Sequence, residues 1–252
     1  MLFRNPKNLK PCGLFSLGHF LLLAITFFCI IVALKYTKNK SKEQIKNIIR
    51  NSTCLLWILE IVKIFYSIKI YGFLAINKYV PLYFCSLILY AGIFSGFCNN
   101  VLKKVGDTFL ATGGIVAGLV FLICPLTSLT TYPTFHFISI QSFILHGTML
   151  YLGLLVLISN YVTLEKTDFK YYAILIISIS IIAFVINLIF DSNLMFISQN
   201  YPGTFIEIIY KLSGKMFPIV MILGQVYLPF YLIYGLYSIV NKKKVNHSQP
   251  TI

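Results

Sequence analysis

Charged residues are scarce in this sequence: 11% of its 252 residues are Asp, Glu, Lys or Arg, and seven of them are acidic. Soluble domains carry about 25% charged residues, so this chain has too few to cover a water-exposed surface. A phosphate-binding glycine loop, an internal repeat and a low-complexity linker are also missing. These absences argue against the common nucleotide-binding motifs and against a division into several domains.

Cys-x-x-Cys pairs are missing as well, and no cysteine has metal-ligand spacing with a histidine. We expect five of the six cysteines to be small, buried and inert, with Cys85 as the exception discussed below. The sequence therefore predicts no metal site and no cofactor. The six are Cys12, Cys29, Cys54, Cys85, Cys98 and Cys124.

Apolar residues make up 58% of the chain and come in blocks long enough to cross a bilayer. Each block must satisfy its own backbone hydrogen bonds in lipid, and a spanning helix needs about 20 residues. The blocks are continuously apolar, whereas barrel strands alternate. The sequence predicts an all-α, polytopic transmembrane helical bundle of about seven spans, with about six to eight as the range. It forms a single integral membrane domain over residues 1–252, with short basic N- and C-terminal tails. The spans are placed at 14–35, 51–71, 80–98, 108–124, 136–160, 171–191 and 216–240.

Basic residues are distributed unequally between the two sides of this bundle. One side holds about twice as many Lys and Arg as the other, and cytoplasmic loops are the ones enriched in these residues. We therefore expect the N-terminus outside and the C-terminus in the cytoplasm. The richer side holds Lys35, Lys38, Lys40, Lys42, Lys46, Arg50, Lys103, Lys104, Lys166, Lys170 and Lys242 to Lys244.

The net charge of +14 follows from these loops and does not indicate a nucleic-acid partner. Cations at membrane edges meet anionic headgroups, and no RNA- or DNA-binding motif accompanies them. Membrane phospholipids are the expected partners. The composition is rich in Ile, Lys, Asn, Phe and Tyr, which is typical of AT-rich genomes and favours a bacterial cell membrane as the location.

Ionisable residues inside a membrane are costly and indicate a site or a specific packing role. In the second span Glu60 and Lys63 lie one helical turn apart, so they can neutralise each other, either as a structural ion pair or within a site. With the orientation above, most of the other polar groups lie toward the outer leaflet, which predicts a polar intramembrane cavity there. These groups are His19, Cys85, His146, Asn187, Asp191 and Asn193.

Several short motifs, in order along most of the chain, resemble a known family. They are Phe-Ser-x-x-His at 15–19, Trp-Ile-Leu-Glu-Ile-Val-Lys at 57–63, Pro-Leu-Tyr-Phe-Cys-Ser at 81–86, Leu-His-Gly at 145–147, and Asn187 followed by Asn193, Phe196 and Pro202. The set is similar to the YwaF-type bacterial integral membrane proteins and to the animal transmembrane-164 proteins. The latter are multi-span acyltransferases that move a fatty acyl chain onto a lysophospholipid.

The resemblance implies a cysteine–histidine site for acyl transfer, with Cys85 as nucleophile and His146 as base. A histidine that takes the thiol proton creates a nucleophile for a phospholipid ester. A lysolipid or a lipid-tethered amine then accepts the acyl group. The side chains expected to bind substrate or to orient the base are His19, Glu60, Asn187, Asp191 and Asn193.

Two other functions fit the same features. A transport component, such as the substrate-binding membrane subunit of a vitamin importer, also has an outward-facing polar pocket. Gly113, Gly114 and Gly118 would interrupt its fourth helix, although such glycines also serve close helix packing. A non-enzymatic membrane assembly factor needs its polar residues only for packing. Transport predicts a bound solute and indifference to Cys85, whereas acyl transfer predicts an acyl adduct on that thiol.

Overall fold

The computed structural model describes residues 2–248, with side chains described as far as Asn241. Regular secondary structure within this range is helical throughout, which confirms the all-α class. The basic C-terminal tail, including the side chains of Lys242 to Lys244, lies outside the described part. The helices are α1 (Leu17–Thr37), α2 (Lys42–Tyr71), α3 (Leu87–Phe97), α4 (Asn100–Phe109), α5 (Ile115–Ile123), α6 (Phe137–Ile158), α7 (Phe169–Phe190), α8 (Phe205–Ser213) and α9 (Phe217–Ser248).

Each predicted span coincides with a helix or with a continuous helical segment. Within the described chain, five segments are long and apolar enough to cross a membrane, and the segment Phe84–Phe97 that contains α3 is apolar but shorter. Helix α2 has 30 residues and carries Glu60, Lys63 and Lys69 in its second half. The five segments are Leu17–Thr37, Asn100–Ile123, Phe137–Ile158, Lys166–Phe190 and Phe205–Asn241.

Helix α2 begins at Lys42, well before the predicted span at 51–71. The Ser41 hydroxyl accepts the Gln44 N–H at 3.3 Å, and the Gln44 side chain accepts the Ser41 N–H at 3.0 Å. This capping box satisfies two backbone donors that would otherwise lack partners at the start of the helix. The first turns of α2 therefore extend the helix beyond the apolar block, where lysines such as Lys42 are exposed.

The fourth span is the place where the sequence prediction needs correction. Glycines were expected to interrupt a short helix at 108–124, but helices α4 and α5 form one continuous segment joined by a π-helical turn at Leu110–Gly114. The glycines serve close packing instead. A Cβ on Gly118 would lie 2.9 Å from the carbonyl oxygen of His146, and one on Gly106 would lie 2.4 Å from that of Ala91. The small residues allow α4 and α5 to approach α3 and α6 at backbone distance.

Hydrogen bonds between helix termini define two ends of the bundle. At one end the start of α1 meets the end of α5, because the His19 ring donates to the Leu122 carbonyl at 3.0 Å. At the other end the start of α2 meets the end of α3, where the Arg50 guanidinium donates to the Gly96 carbonyl at 2.7 Å. We name the first the cavity end, with loops 72–83, 124–136 and 191–204. The second is the basic end, with loops 38–41, 98–99 and 159–168.

Candidate functional site

A cavity of about 400 Å³ opens at the cavity end. Its walls come from four parts of the chain: the second half of α2, the segment 77–86, the loop before α6 together with the first half of α6, and the loop after α7. The walls are mixed in character, with hydroxyl, amide and aromatic groups beside aliphatic ones. The sequence predicted a polar cavity within the helical bundle.

His146 reaches the cavity from α6 and is held in a defined orientation. Its Nδ1–H donates to the Ser142 carbonyl at 2.7 Å, and its ring stacks on Phe121 with centroids 3.6 Å apart. Because Nδ1 carries the proton in this arrangement, Nε2 is the basic nitrogen. Nε2 has no hydrogen-bond partner among the residues that the structure describes. The ring is therefore in the tautomer that a proton acceptor requires.

Cys85 lines the same cavity from a single helical turn that precedes α3. Aromatic packing on both sides fixes this turn: the ring of Phe84 lies 5.8 Å from that of Phe109, and the ring of Tyr83 lies 5.0 Å from that of Phe196. The thiol is half-buried and forms no disulfide. Cys85 and His146, which are separated by three helices in the sequence, thus face one enclosed space.

Glu60 and Lys63 form the ion pair that their spacing predicted. The Lys63 ammonium lies 2.7 Å from Glu60 Oε1, with the Glu60 side chain fully buried and that of Lys63 21% exposed. The other carboxylate oxygen of Glu60 accepts the side-chain N–H of Gln141 at 3.1 Å. Lys63 and Gln141 line the cavity, whereas Glu60 lies behind them. Sequence reasoning missed Gln141, although a polar residue within a membrane span was itself a signal.

Asn187 shapes the loop after α7 and does not line the cavity. Its amide nitrogen donates to the Leu194 carbonyl and to the Ser198 hydroxyl, and its oxygen accepts from Leu194 and Ser192. These bonds hold a loop in which Met195 has a positive φ of 58°. Asn187 therefore fixes backbone that carries cavity-lining residues.

Asn193 and Asp191 differ in their placement within this loop. Asn193 lines the cavity, and its side-chain oxygen accepts the backbone N–H of Gln199 at 3.0 Å. Its own backbone N–H donates to the Asn77 side chain at 2.8 Å, which joins two of the walls. Asp191 ends α7 in the left-handed region, is exposed, and accepts a hydrogen bond from the Gln199 amide.

His19 is buried apart from the cavity walls. Its Nδ1 accepts the Phe15 N–H at 3.1 Å, and its Nε2–H donates to the Leu122 carbonyl at 3.0 Å. Both ring nitrogens are thus occupied by backbone groups. This geometry gives His19 the task of joining the start of α1 to the end of α5.

A tyrosine pair joins the end of α2 to loop 124–136 beside the cavity. The Tyr132 hydroxyl lies 2.8 Å from that of Tyr71, and the Tyr132 ring stacks on His136 with centroids 4.7 Å apart. Burial raises the pKa of Tyr132 well above its usual range, so its hydroxyl stays protonated. His136, which sequence reasoning did not select, also bonds the Tyr66 hydroxyl at 3.1 Å. In the described chain, no three His, Cys, Asp or Glu side chains converge as a metal site would require.

The helices and this cavity define a multi-span helical membrane protein with a polar cavity at one end. The sequence matches the TMEM164 family over residues 14–242, and the chain belongs to that family. The resemblance to the transmembrane-164 proteins that the short motifs indicated is thereby confirmed. No curated protein and no solved structure gives a significant match.

Proposed function

We propose that this protein is a membrane-embedded acyltransferase that moves a fatty acyl chain from a phospholipid to a lysolipid or a lipid-tethered amine. The observation that supports the proposal is that Cys85 and His146 line the same cavity. Membership of the TMEM164 family supports the same reading. The motifs similar to YwaF-type proteins favour a bacterial member of this family.

The chemistry uses Cys85 as nucleophile and His146 as base. Nε2 of His146 takes the thiol proton, and the thiolate forms an S–C bond to the carbonyl carbon of a lipid ester. The carbonyl electron pair moves to oxygen and then returns, which expels the lysolipid alkoxide. That alkoxide takes the proton from the imidazolium and leaves a thioester on Cys85. An acceptor hydroxyl or amine reverses these steps, so protons and charge balance over the cycle.

The remaining predicted side chains take three kinds of role in this proposal. Asn193 faces the cavity and is the group that would contact substrate. Glu60, Asn187 and Asp191 act on the cavity walls through their hydrogen-bond partners. His19 maintains the helix contact beside the site.

The proposed orientation places the cavity end at the outer face of a bacterial cell membrane. Exposed lysines such as Lys38, Lys104 and Lys166 gather at the basic end, which therefore faces the cytoplasm. The N-terminus is outside and the C-terminus inside. This orientation is tested in intact cells with the single-cysteine variants Lys7→Cys and Lys166→Cys. Each variant is labelled with a membrane-impermeant maleimide.

The function itself is tested with purified protein in lipid nanodiscs and a radiolabelled phospholipid. Cys85→Ser and His146→Ala should abolish transfer, and wild type should carry a hydroxylamine-sensitive acyl group on the Cys85 peptide. Cys124→Ser is the matched control, because this half-buried cysteine follows α5 at the same end of the molecule. Undiminished transfer by Cys85→Ser would contradict the assignment of Cys85 as nucleophile. A solute that stays bound, with no acyl adduct on Cys85, would favour transport instead.

A further inference from the structure

Lys63 places a positive charge at the wall of the cavity that also holds Cys85 and His146. The described lining includes Lys63 and Lys78 and no Asp or Glu. Lys78 belongs to the loop after α2, where its ammonium lies 5.5 Å from the centroid of the Tyr71 ring. Lys63 instead projects from the helix itself, so it is the cation of the inner part of the cavity.

Lys63 and the proposed base line the same cavity from two different helices. Lys63 lies eight residues before the end of α2 at Tyr71, or about 12 Å along the axis at 1.5 Å per residue. His146 lies nine residues after the start of α6 at Phe137, or about 14 Å. Gln141 connects the two helices, because it belongs to α6 and its side chain donates to Glu60 of α2 at 3.1 Å.

The two partners of the ion pair are buried to different degrees. Glu60 is fully buried and both of its oxygens are bonded, one to Lys63 and one to Gln141. The Lys63 ammonium has three donors, and its only hydrogen bond within the described residues goes to Glu60. The Lys103 side chain of the pair at the basic end is 28% exposed, so what distinguishes Lys63 is its place on the wall of the cavity that Cys85 and His146 line. Here the carboxylate is buried and the ammonium faces the cavity.

We propose that Lys63 is the electrostatic group of the site, whose ammonium stabilises the Cys85 thiolate and then the oxyanion of the tetrahedral intermediate. This role rests on the proposed function. Negative charge appears on sulfur when His146 takes its proton, and moves to the carbonyl oxygen when the S–C bond forms. A fixed cation in a low-dielectric site stabilises such charge without reorganisation. Lys63 keeps its proton throughout, and Glu60 and Gln141 are the positioning residues that hold it.

The test compares two variants that differ only at residue 63. Glu60→Gln removes the carboxylate and keeps the lysine, and Glu60→Gln/Lys63→Met then removes the cation without leaving a lone buried charge. Iodoacetamide alkylation of purified protein in nanodiscs is followed at the Cys85 peptide by mass spectrometry, with Cys124 as an internal reference. We expect alkylation at neutral pH to be about tenfold slower in the double variant than in Glu60→Gln. The difference should vanish at high pH, where the thiolate forms without help.

A comparison with wild type and two further variants separate electrostatics from structure. Glu60→Gln alone should alkylate about threefold faster than wild type, because the lysine charge is no longer offset. Lys63→Arg should retain most of the wild-type rate, since it keeps the charge. Lys78→Met is the matched control. It should change the rate by less than about twofold, because Lys78 lies in the loop after α2 and its ammonium is held over the Tyr71 ring.

Equal alkylation rates in Glu60→Gln and in the double variant would overturn the proposal. If the double variant does not fold, a Glu60→Gln rate at or below wild type overturns it equally. These measurements use no lipid substrate and therefore do not depend on acyl transfer. If Cys85→Ser transfers normally while the alkylation results hold, the proposed function fails and Lys63 remains the group that activates this thiol.

Discussion

Two acid–lysine pairs lie at opposite ends of the bundle, and their lysines have different surroundings. At the basic end Lys103 lies 2.5 Å from Asp107, Ser95 donates to the second carboxylate oxygen, and the Tyr161 ring covers the ammonium at 4.5 Å. At the cavity end Glu60 is fully buried and Lys63, whose side chain is 21% exposed against 28% for Lys103, faces the cavity. Similar spacing on a helix thus gives two lysines of similar exposure, one covered by an aromatic ring and the other on the wall of the cavity that Cys85 and His146 line.

This difference extends to the loops around each pair. The basic end has short connections and a bonded network in which Lys104 approaches Asp168 at 3.7 Å. The cavity end has longer loops whose amides, such as that of Asn193, bond other loops and enclose space. We infer that the basic end maintains the packing of α2, α3, α4 and α7, while the cavity end carries the chemistry. Substitutions at the two ends should therefore change different observables.

The largest expected effect is a loss of transfer rate that separates the two histidines at the cavity end, His146 and His19. His146→Gln should lower the transfer rate by about 10³-fold, because a positioned base contributes about 10²–10⁴. His19→Gln should leave the rate of folded protein within about threefold and lower the free energy of unfolding by about 2 kcal/mol, through two lost buried bonds. Initial rates measure acyl transfer, and denaturant titrations in detergent measure the free energy of unfolding. A deep rate loss in His19→Gln with unchanged stability would contradict this division.

The next effect concerns the Lys103–Asp107 ion pair at the basic end. Asp107→Asn should lower the free energy of unfolding by about 2 kcal/mol, because Lys103 then loses its carboxylate in a largely covered setting. Transfer per folded molecule should stay within about twofold of wild type. Glu43→Gln is the control, since this carboxylate is 71% exposed in its pair with Arg50 and should matter by less than about 0.5 kcal/mol. A transfer defect in Asp107→Asn would place chemistry at both ends.

A smaller effect should follow from loosening the loop after α7. Asn187→Ala removes four hydrogen bonds that hold this loop, so Asn193 and its neighbours should lose their position at the cavity wall. We expect KM for the lipid to rise about tenfold, or about 1.4 kcal/mol, with kcat changed less. Steady-state kinetics measure the split, and Asp191→Ala, which removes only the exposed side-chain bond to Gln199, should raise KM less than Asn187→Ala does. An unchanged KM would show that the loop does not shape the substrate site.

The smallest effect is expected at the start of α2. Ser41→Ala removes one half of the capping box and should lower the free energy of unfolding by about 1 kcal/mol. Transfer should be unaffected because the cap lies at the basic end, far along α2 from Lys63. Ser41→Asn, which can replace the cap, should restore the stability. A loss of transfer in Ser41→Ala that Ser41→Asn does not restore would argue against separate tasks for the two ends.

The class of fold followed from the sequence alone, because lipid imposes a simple rule on the chain. A continuous apolar block such as 173–190 must be helical, and the structure places α7 across it. The Glu60–Lys63 pair was equally predictable, since residues three apart on a helix share a face. Span four was misread because glycine weakens an isolated helix, whereas in the bundle Gly106 and Gly118 allow backbone contacts that compensate.

The composition of the cavity was decided by tertiary structure. His19 and His146 look alike in sequence, each within an apolar helix, and only the neighbouring backbone determines which nitrogens are occupied. Gln141 and Asn193 gained their positions through partners on other helices and loops, which no local pattern records. Local periodicity determines which side of a helix a residue faces. Helix packing determines whether that side meets a neighbour, lipid or the cavity that contains Cys85.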